Sequence, residues 1–318
     1  MIYSRIISTG SYLPERIVTN AELEKLVDTS DEWIRSRTGI RVRHVAAADE
    51  TTCDMSEQAA RNALAACEVA AADIDLIIVA TSTPDLIYPS TACLLQQRLD
   101  IRNGGAAFDV QAVCSGFVYA LSIADKFICS RSARHALVVG ADANSKILDW
   151  KDRTTCVLFG DGAGAVLMGA GSEPGIYATR LHADGRYAEM LLVPSGVSQK
   201  DGEPYIRMRG AEVFKFAVTA MENLVKDILR ETQMKMDVID WLIPHQANER
   251  IISATARKLG LPMEKVIVTL GEHGNTSAAS IPLAIDAAVC DGRIRRGQIL
   301  LLEAVGGGFT WGSALLRY

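Results

Sequence analysis

The chain has 318 residues, 33 Lys and Arg against 38 Asp and Glu, and a formal net charge of −5. That length exceeds one ordinary core and predicts two domains or a duplicated one. The acidic balance argues against a nucleic-acid-binding protein, which carries a basic excess, and no apolar stretch has the length of a membrane span. Seven cysteines, at 53, 67, 93, 114, 129, 156 and 290, form no C-x-x-C pair, and five histidines show no metal-ligand spacing. Such an odd, scattered set reads as reduced thiols and a cytoplasmic setting. Met1–Ile6 runs directly into strand-like residues, with no signal-peptide pattern.

In chain order, Ser4–Tyr12 reads as a strand. Asn20 is placed to cap a helix over Ala21–Val27, and Ser30 or Asp31 to cap a second helix bearing Trp33. Trp33, Arg35 and Arg37 could stack a planar base and hold phosphate, or be a core Trp flanked by solvated arginines. A helix over Met55–Cys67 precedes Ile74–Thr81, which is apolar on both faces as buried parallel strands are. A helix from Pro89-Ser90 to Leu99, a strand Ala106–Val110, a helix reaching Ser130 and a strand Ala136–Gly140 continue the alternation. That predicts an α/β architecture. Cys114 falls at the turn from strand to helix, where backbone N–H groups and the helix dipole favour an anion. A thiol there can have its pKa lowered toward neutrality and act as a nucleophile; a small buried hydrophobe is the alternative. The glycines of Phe159–Gly164 lack the Lys-Ser/Thr of a phosphate loop and read as a turn between strands.

After Gly175 the pattern restarts. A strand Gly175–His182, a helix Ala211–Glu231 and an apolar strand headed by Ile239-Asp240, as Ile74-Asp75 heads its counterpart, come first. A helix Glu249–Leu259, a strand Val266–Thr269, a helix Ala278–Cys290 and strands Gln298–Glu303 and Gly312–Arg317 follow. We read this as an internal duplication of about 150 residues, far longer than solenoid repeats, dividing the chain into 1–172 and 173–318. Ligands of doubly wound sheets gather outside the carboxyl ends of strands. Cys114 follows one such end and His245 another, and Asn275 lies in the turn that matches the Cys114 turn. Packed about a pseudo-twofold axis, the three converge; a structural histidine is the alternative for His245.

Thr29–Gly39, Val113-Cys114-Ser115-Gly116-Phe117, Phe159–Gly164, Pro244-His245-Gln246-Ala247-Asn248, His273–Ser277 and Gly306–Gly312 together carry a resemblance. The chain resembles the thiolase superfamily, and within it the β-ketoacyl-acyl carrier protein synthase III family, essentially from Met1 to Tyr318. The resemblance implies a thiolase-like, five-layer α-β-α-β-α fold, a homodimer and no tightly bound cofactor, with a coenzyme A thioester as substrate. It implies decarboxylative condensation of a short acyl-CoA, acetyl-CoA by default, with malonyl-acyl carrier protein. Carried over by position, Cys114 takes the acyl group, the backbone N–H groups of Cys114 and Gly306 hold its oxyanion, and His245 and Asn275 promote decarboxylation. Trp33, Arg37 and Arg153 match the coenzyme A head-group site, and Gly210, Phe214 and Asn248 the pantetheine tunnel. Phe159 and Tyr88 match the acyl pocket, Tyr88 by way of the partner subunit. Lys215, Gln246, Arg250, Arg257 and Lys258 match a basic face for the acidic carrier protein. Glu249 and Asn144–Leu148 depart from the family pattern. The runner-up within the superfamily is a specialised condensing enzyme of secondary metabolism with another acyl or CoA-bound partner. A biosynthetic thiolase would use a second cysteine where Gly306-Gly307-Gly308 stand. A Cys-His-Asn hydrolase shares the residue types without the duplicated pattern, and a non-catalytic binding module is the remaining reading.

Overall fold

In the computed structural model, which describes residues 2–318, strands and helices alternate twice over. The first run is β1 (Tyr3–Tyr12), β2 (Arg16–Thr19), α1 (Asn20–Leu23), α2 (Asp31–Thr38), β3 (Val42–Val45), α3 (Thr52–Ala65), β4 (Leu76–Ala80), α4 (Thr91–Arg98), β5 (Ala106–Val110), α5 (Gly116–Cys129), β6 (His135–Ala143) and β7 (Asp161–Gly171). The second is β8 (Ile176–Ala183), β9 (Leu191–Leu192), β10 (Arg207–Met208), α6 (Gly210–Thr232), β11 (Trp241–Pro244), α7 (Glu249–Leu259), α8 (Leu270–His273), α9 (Ser280–Cys290), β12 (Ile299–Gly306) and β13 (Thr310–Arg317). Ser30 caps α2 by accepting from the Trp33 N–H. The cap of α1 is Thr19 rather than Asn20, closed into a capping box by Glu22, and the helix ends at Leu23, short of the expected Val27.

The larger sheet runs β1-β7-β6-β4-β5 and the smaller β8-β13-β12-β11. Laid side by side, β8, β13, β12 and β11 repeat the places of β1, β7, β6 and β4. The expected strand over Val266–Thr269 is reduced to a single parallel bridge, Val266 to Leu242. Its ladder is pre-empted by the Gln246 side chain, which donates to Ile267 O and accepts from the N–H groups of Thr269 and Leu270.

Three helical layers and two sheets make five layers. Side chains of α3 and α4 pack on one face of the larger sheet; α5 and α9 fill the space between the sheets; α6 and α7 cover the outer face of the smaller sheet. Every residue of β4 is buried, which explains its unbroken apolar sequence. The glycines Gly162 and Gly164 sit inside β7, not in a turn. A Cβ on Gly164 would lie 2.6 Å from the Leu283 backbone nitrogen, and one on Gly140 2.2 Å from the Ala278 carbonyl. They are there so that α9 and the turn before it can press against the sheet.

Candidate active site

Cys114 occupies a single 3-10 turn, Val113–Ser115, between β5 and α5; the matching turn of the second half, Ser277–Ala279, precedes α9. Val113 has φ +48° and Ser277 φ +50°, left-handed values that a β-branched residue adopts only under constraint. The same strained bend thus recurs at both carboxyl ends. Ser115 Oγ donates within its own turn to Ala112 O at 2.8 Å and lies 2.8 Å from Thr310 Oγ1 of β13. At the end of β12, a Cβ on Gly306 would come within 2.7 Å of the Cys114 nitrogen. Only glycine leaves that backbone N–H open.

One cavity of about 630 Å³ is lined by Cys114, His245, Asn275 and Gly306, and by Trp33, Arg37, Arg153, Phe159, Gly210, Phe214 and Asn248. The expected convergence of Cys114, His245 and Asn275 therefore occurs. Burial pulls the His245 imidazole down to about 3, so it is neutral. Its Nδ1 lies 2.6 Å from Ser280 Oγ, which also accepts from the Gln246 N–H. We assign the Ser280 proton to that Nδ1 bond, which places the ring hydrogen on Nε2. Asn275 is locked on three sides: its N–H donates to Leu158 O at 2.9 Å, its carbonyl accepts from Gly160 N–H at 2.9 Å, and its Oδ1 accepts from Ser277 N–H at 3.0 Å. With Oδ1 engaged, Nδ2 remains as a donor. The expected lowering of the Cys114 pKa is not met. Burial pushes the thiol up to about 12, with the buried Asp142 adding to it, because desolvation outweighs the lowering by the Ser277 hydroxyl and a backbone N–H.

Toward the mouth, the Arg153 guanidinium lies 5.2 Å above the Trp33 ring and donates to Asp28 O. Asn248 caps α7 through Arg250 N–H and donates to Arg37 O at 3.1 Å, fastening α7 to α2. Phe214, on α6, lies under Arg250 at 5.8 Å. Lys215, Arg250, Arg257 and Lys258 are exposed, and Lys258 pairs with Glu222 at 2.7 Å. Gln246 is not part of that face: it is 1% exposed, its side chain spent on backbone groups. Tyr88 is 84% exposed and stands apart from this chain's own cavity. The unusual Glu249 lies over Gly39, where a Cβ would meet its carboxylate at 2.2 Å. Asn144, from the other unusual segment, donates to Gly160 O at 2.9 Å, and Ser145 N–H donates to Asp161. Sequence reasoning missed Ser280, whose signal was its place at the head of α9, and missed Arg43 and Glu303, which carried none.

The family description 3-oxoacyl-[acyl-carrier-protein] synthase III matches residues 108–185, and the description of its C-terminal part matches residues 229–318. The β-ketoacyl-[acyl-carrier-protein] synthase III of Thiobacillus denitrificans is 61% identical over 319 residues, covering 100% of each chain. The chain belongs to the synthase III family. The solved 3-oxoacyl-[acyl-carrier-protein] synthase III of Aquifex aeolicus superposes with a TM-score of 0.94 at 49% identity, over 99% of this chain and 100% of that one. A priming β-ketosynthase from a polyketide biosynthetic pathway reaches 0.95 at 36% identity, over 99% and 96%. The layered architecture is thus the thiolase-like fold, and this synthase III is a condensing acyltransferase.

Proposed function

We propose that this synthase III joins a short acyl-CoA, acetyl-CoA by default, to malonyl-acyl carrier protein and so initiates fatty acid synthesis. The observation that carries the reading is one cavity holding a thiol and two side-chain N–H donors. The Cys114 sulfur attacks the thioester carbonyl while the N–H groups of Cys114 and Gly306 hold the oxyanion. The bond to the coenzyme A sulfur breaks, and the Cys114 proton leaves as part of the coenzyme A thiol. His245 Nε2–H and Asn275 Nδ2–H then hold the thioester oxygen of the malonyl group. Carbon dioxide departs, and the electrons of the broken C–C bond form an enolate. Its carbon attacks the acyl-Cys114 carbonyl; the C–S bond breaks, the β-ketoacyl thioester is released and the Cys114 thiolate takes a proton from water.

Trp33, Arg37 and Arg153 hold the coenzyme A head group and Gly210, Phe214 and Asn248 flank the pantetheine. Phe159 bounds the acyl group from this chain and Tyr88 of the partner subunit closes it. Support for a homodimer is the exposed apolar run Leu86, Ile87 and Tyr88, at 51%, 74% and 84%, in the connection between β4 and α4. Lys215, Arg250 and Arg257 face the carrier protein, with Lys258 sharing its charge with Glu222. We read residues 1–172 as the half that carries the nucleophile and 173–318 as the half that supplies His245 and Asn275, working in the cytoplasm without a tightly bound cofactor. Intact mass after acetyl-CoA should show one acetyl group on the wild type and none on Cys114→Ala; a label persisting on that variant overturns the assignment. His245→Ala and Asn275→Ala should still acetylate and lose condensation. The likeness to a polyketide priming synthase supports a second reading, a longer or unusual starter, which competition between acetyl-CoA and longer acyl-CoA thioesters decides.

A further inference from the structure

Arg43, on β3, is fully buried, and among the described residues no carboxylate lies within ion-pair distance of it. An arginine in that setting is expected to bind something specific, because an unpaired buried cation is otherwise expensive. Its two terminal nitrogens donate to backbone and amide oxygens, while the buried Nε has no partner among the described residues. Nη2 donates to Val157 O at 2.8 Å, and Nη1 donates to Asn20 Oδ1 at 2.9 Å and Val18 O at 3.2 Å. Burial brings it down to about 10, so it stays charged at neutral pH.

Val157 opens the strap Val157–Phe159, which lines the cavity. That strap and the residue after it hold Asn275 through Leu158 O and Gly160 N–H, the parallel bridge of Phe159 with Asn275. The stem of Arg43 is wedged against the same two backbones. A Cβ on Gly274 would lie 3.0 Å from Arg43 Cβ, and one on Gly160 3.1 Å from it. Arg43 therefore braces both sides of the Asn275 bridge, one by hydrogen bond and both by contact. We propose that Arg43 is a positioning residue that sets Asn275 in register with the reacting thioester. The cavity helix α2 does not depend on it in the same way: Asn20 Nδ2 reaches Asp31 Oδ1 at 2.8 Å and Ile40 O at 2.9 Å on its own account.

The inference rests on the role given to Asn275 under the proposed function, and the two fail differently. Acetylation of Cys114 by acetyl-CoA is followed by intact mass, and decarboxylation of malonyl-acyl carrier protein and full condensation by product formation. Arg43→Met should lower decarboxylation and condensation by about 100-fold, as a misplacement near 1 Å does, and leave the Cys114 acetylation rate and the KM for acetyl-CoA within about threefold. Arg43→Lys, which can reach the Val157 carbonyl, should recover at least about tenfold of the loss. Should Arg43→Met fail to fold, Arg43→Lys alone is read for the same split between half-reactions. Equal losses in acetylation and decarboxylation, or wild-type decarboxylation in a folded variant, overturn the inference. If Asn275→Ala decarboxylates normally, it is the reading of Asn275 that falls.

Discussion

Glu303 stands where the first half of the chain carries Val139. Glu303 pairs with Pro244 across β11 and β12 as Val139 pairs with Val79 across β4 and β6, and both are fully buried. Its carboxyl oxygens have no hydrogen-bond partner, and burial pushes the group up to about 8 from an ordinary 4.5. A folded pKa above the unfolded one means the native state holds the extra proton between those values. Stability therefore falls as pH rises through about 4.5 to 8. Denaturant melts at pH 5 and pH 8.5 should show a wild-type loss on the order of 3–5 kcal/mol that Glu303→Val lacks; equal slopes in the two proteins would refute this. His245 acts in the opposite sense. Its folded pKa of about 3 lies below the ordinary 6.5, so its contribution is complete above pH 6.5 and is lost as pH falls toward 3. Cys114, His245 and Asn275 were legible because strand ends and local motifs mark them. Glu303 and Arg43 were not, because what makes each unusual is the tertiary burial of a residue type that normally sits on the surface. The Cys114 thiol was read in the wrong direction for a related reason: a local dipole is visible in sequence and desolvation is not.

At the scale of elements, the alternation of strands and helices came through almost entirely, since β4, α5 and α7 carry clear apolar periods. The places where it failed are those where a side chain or a neighbour replaced backbone logic. Gln246 took the ladder of Val266–Thr269, and the glycines of β6 and β7 proved to be a docking surface for α9 and the turn before it. That contact makes a testable demand. Gly140→Ala puts a methyl 2.2 Å from the Ala278 carbonyl and should lower stability by more than about 2 kcal/mol. Gly185→Ala, with nothing within 4 Å, should stay within about 0.5 kcal/mol. Comparable melting temperatures for the two would mean that the seam has slack. Gly306→Ala makes a different demand: its methyl crowds the Cys114 nitrogen at 2.7 Å, so acetylation, measured below the variant's melting temperature, should fall by at least about 100-fold.

For the molecule as a whole, the duplication was legible from the recurrence of Ile-Asp before a short apolar strand and from the order of elements after it. The packing of α5 and α9 between two sheets then follows, since each sheet is apolar on both faces and the two inner faces need a shared cover. The exposed Leu86-Ile87-Tyr88 run belongs to this scale too. Sedimentation should give a dimer, and Ile87→Asp should weaken association at least about tenfold and slow Cys114 acetylation with it. A variant that dissociates yet acetylates at the wild-type rate would remove Tyr88 from the acyl pocket.

A thiol held near 12 has consequences outside the reaction. At pH 7 the resting thiol is therefore overwhelmingly protonated. Peroxide and soft electrophiles attack thiolates, so the same burial slows their reaction with Cys114. Slower oxidation at rest and dependence on a seated thioester then share one cause, the burial of Cys114 in its turn.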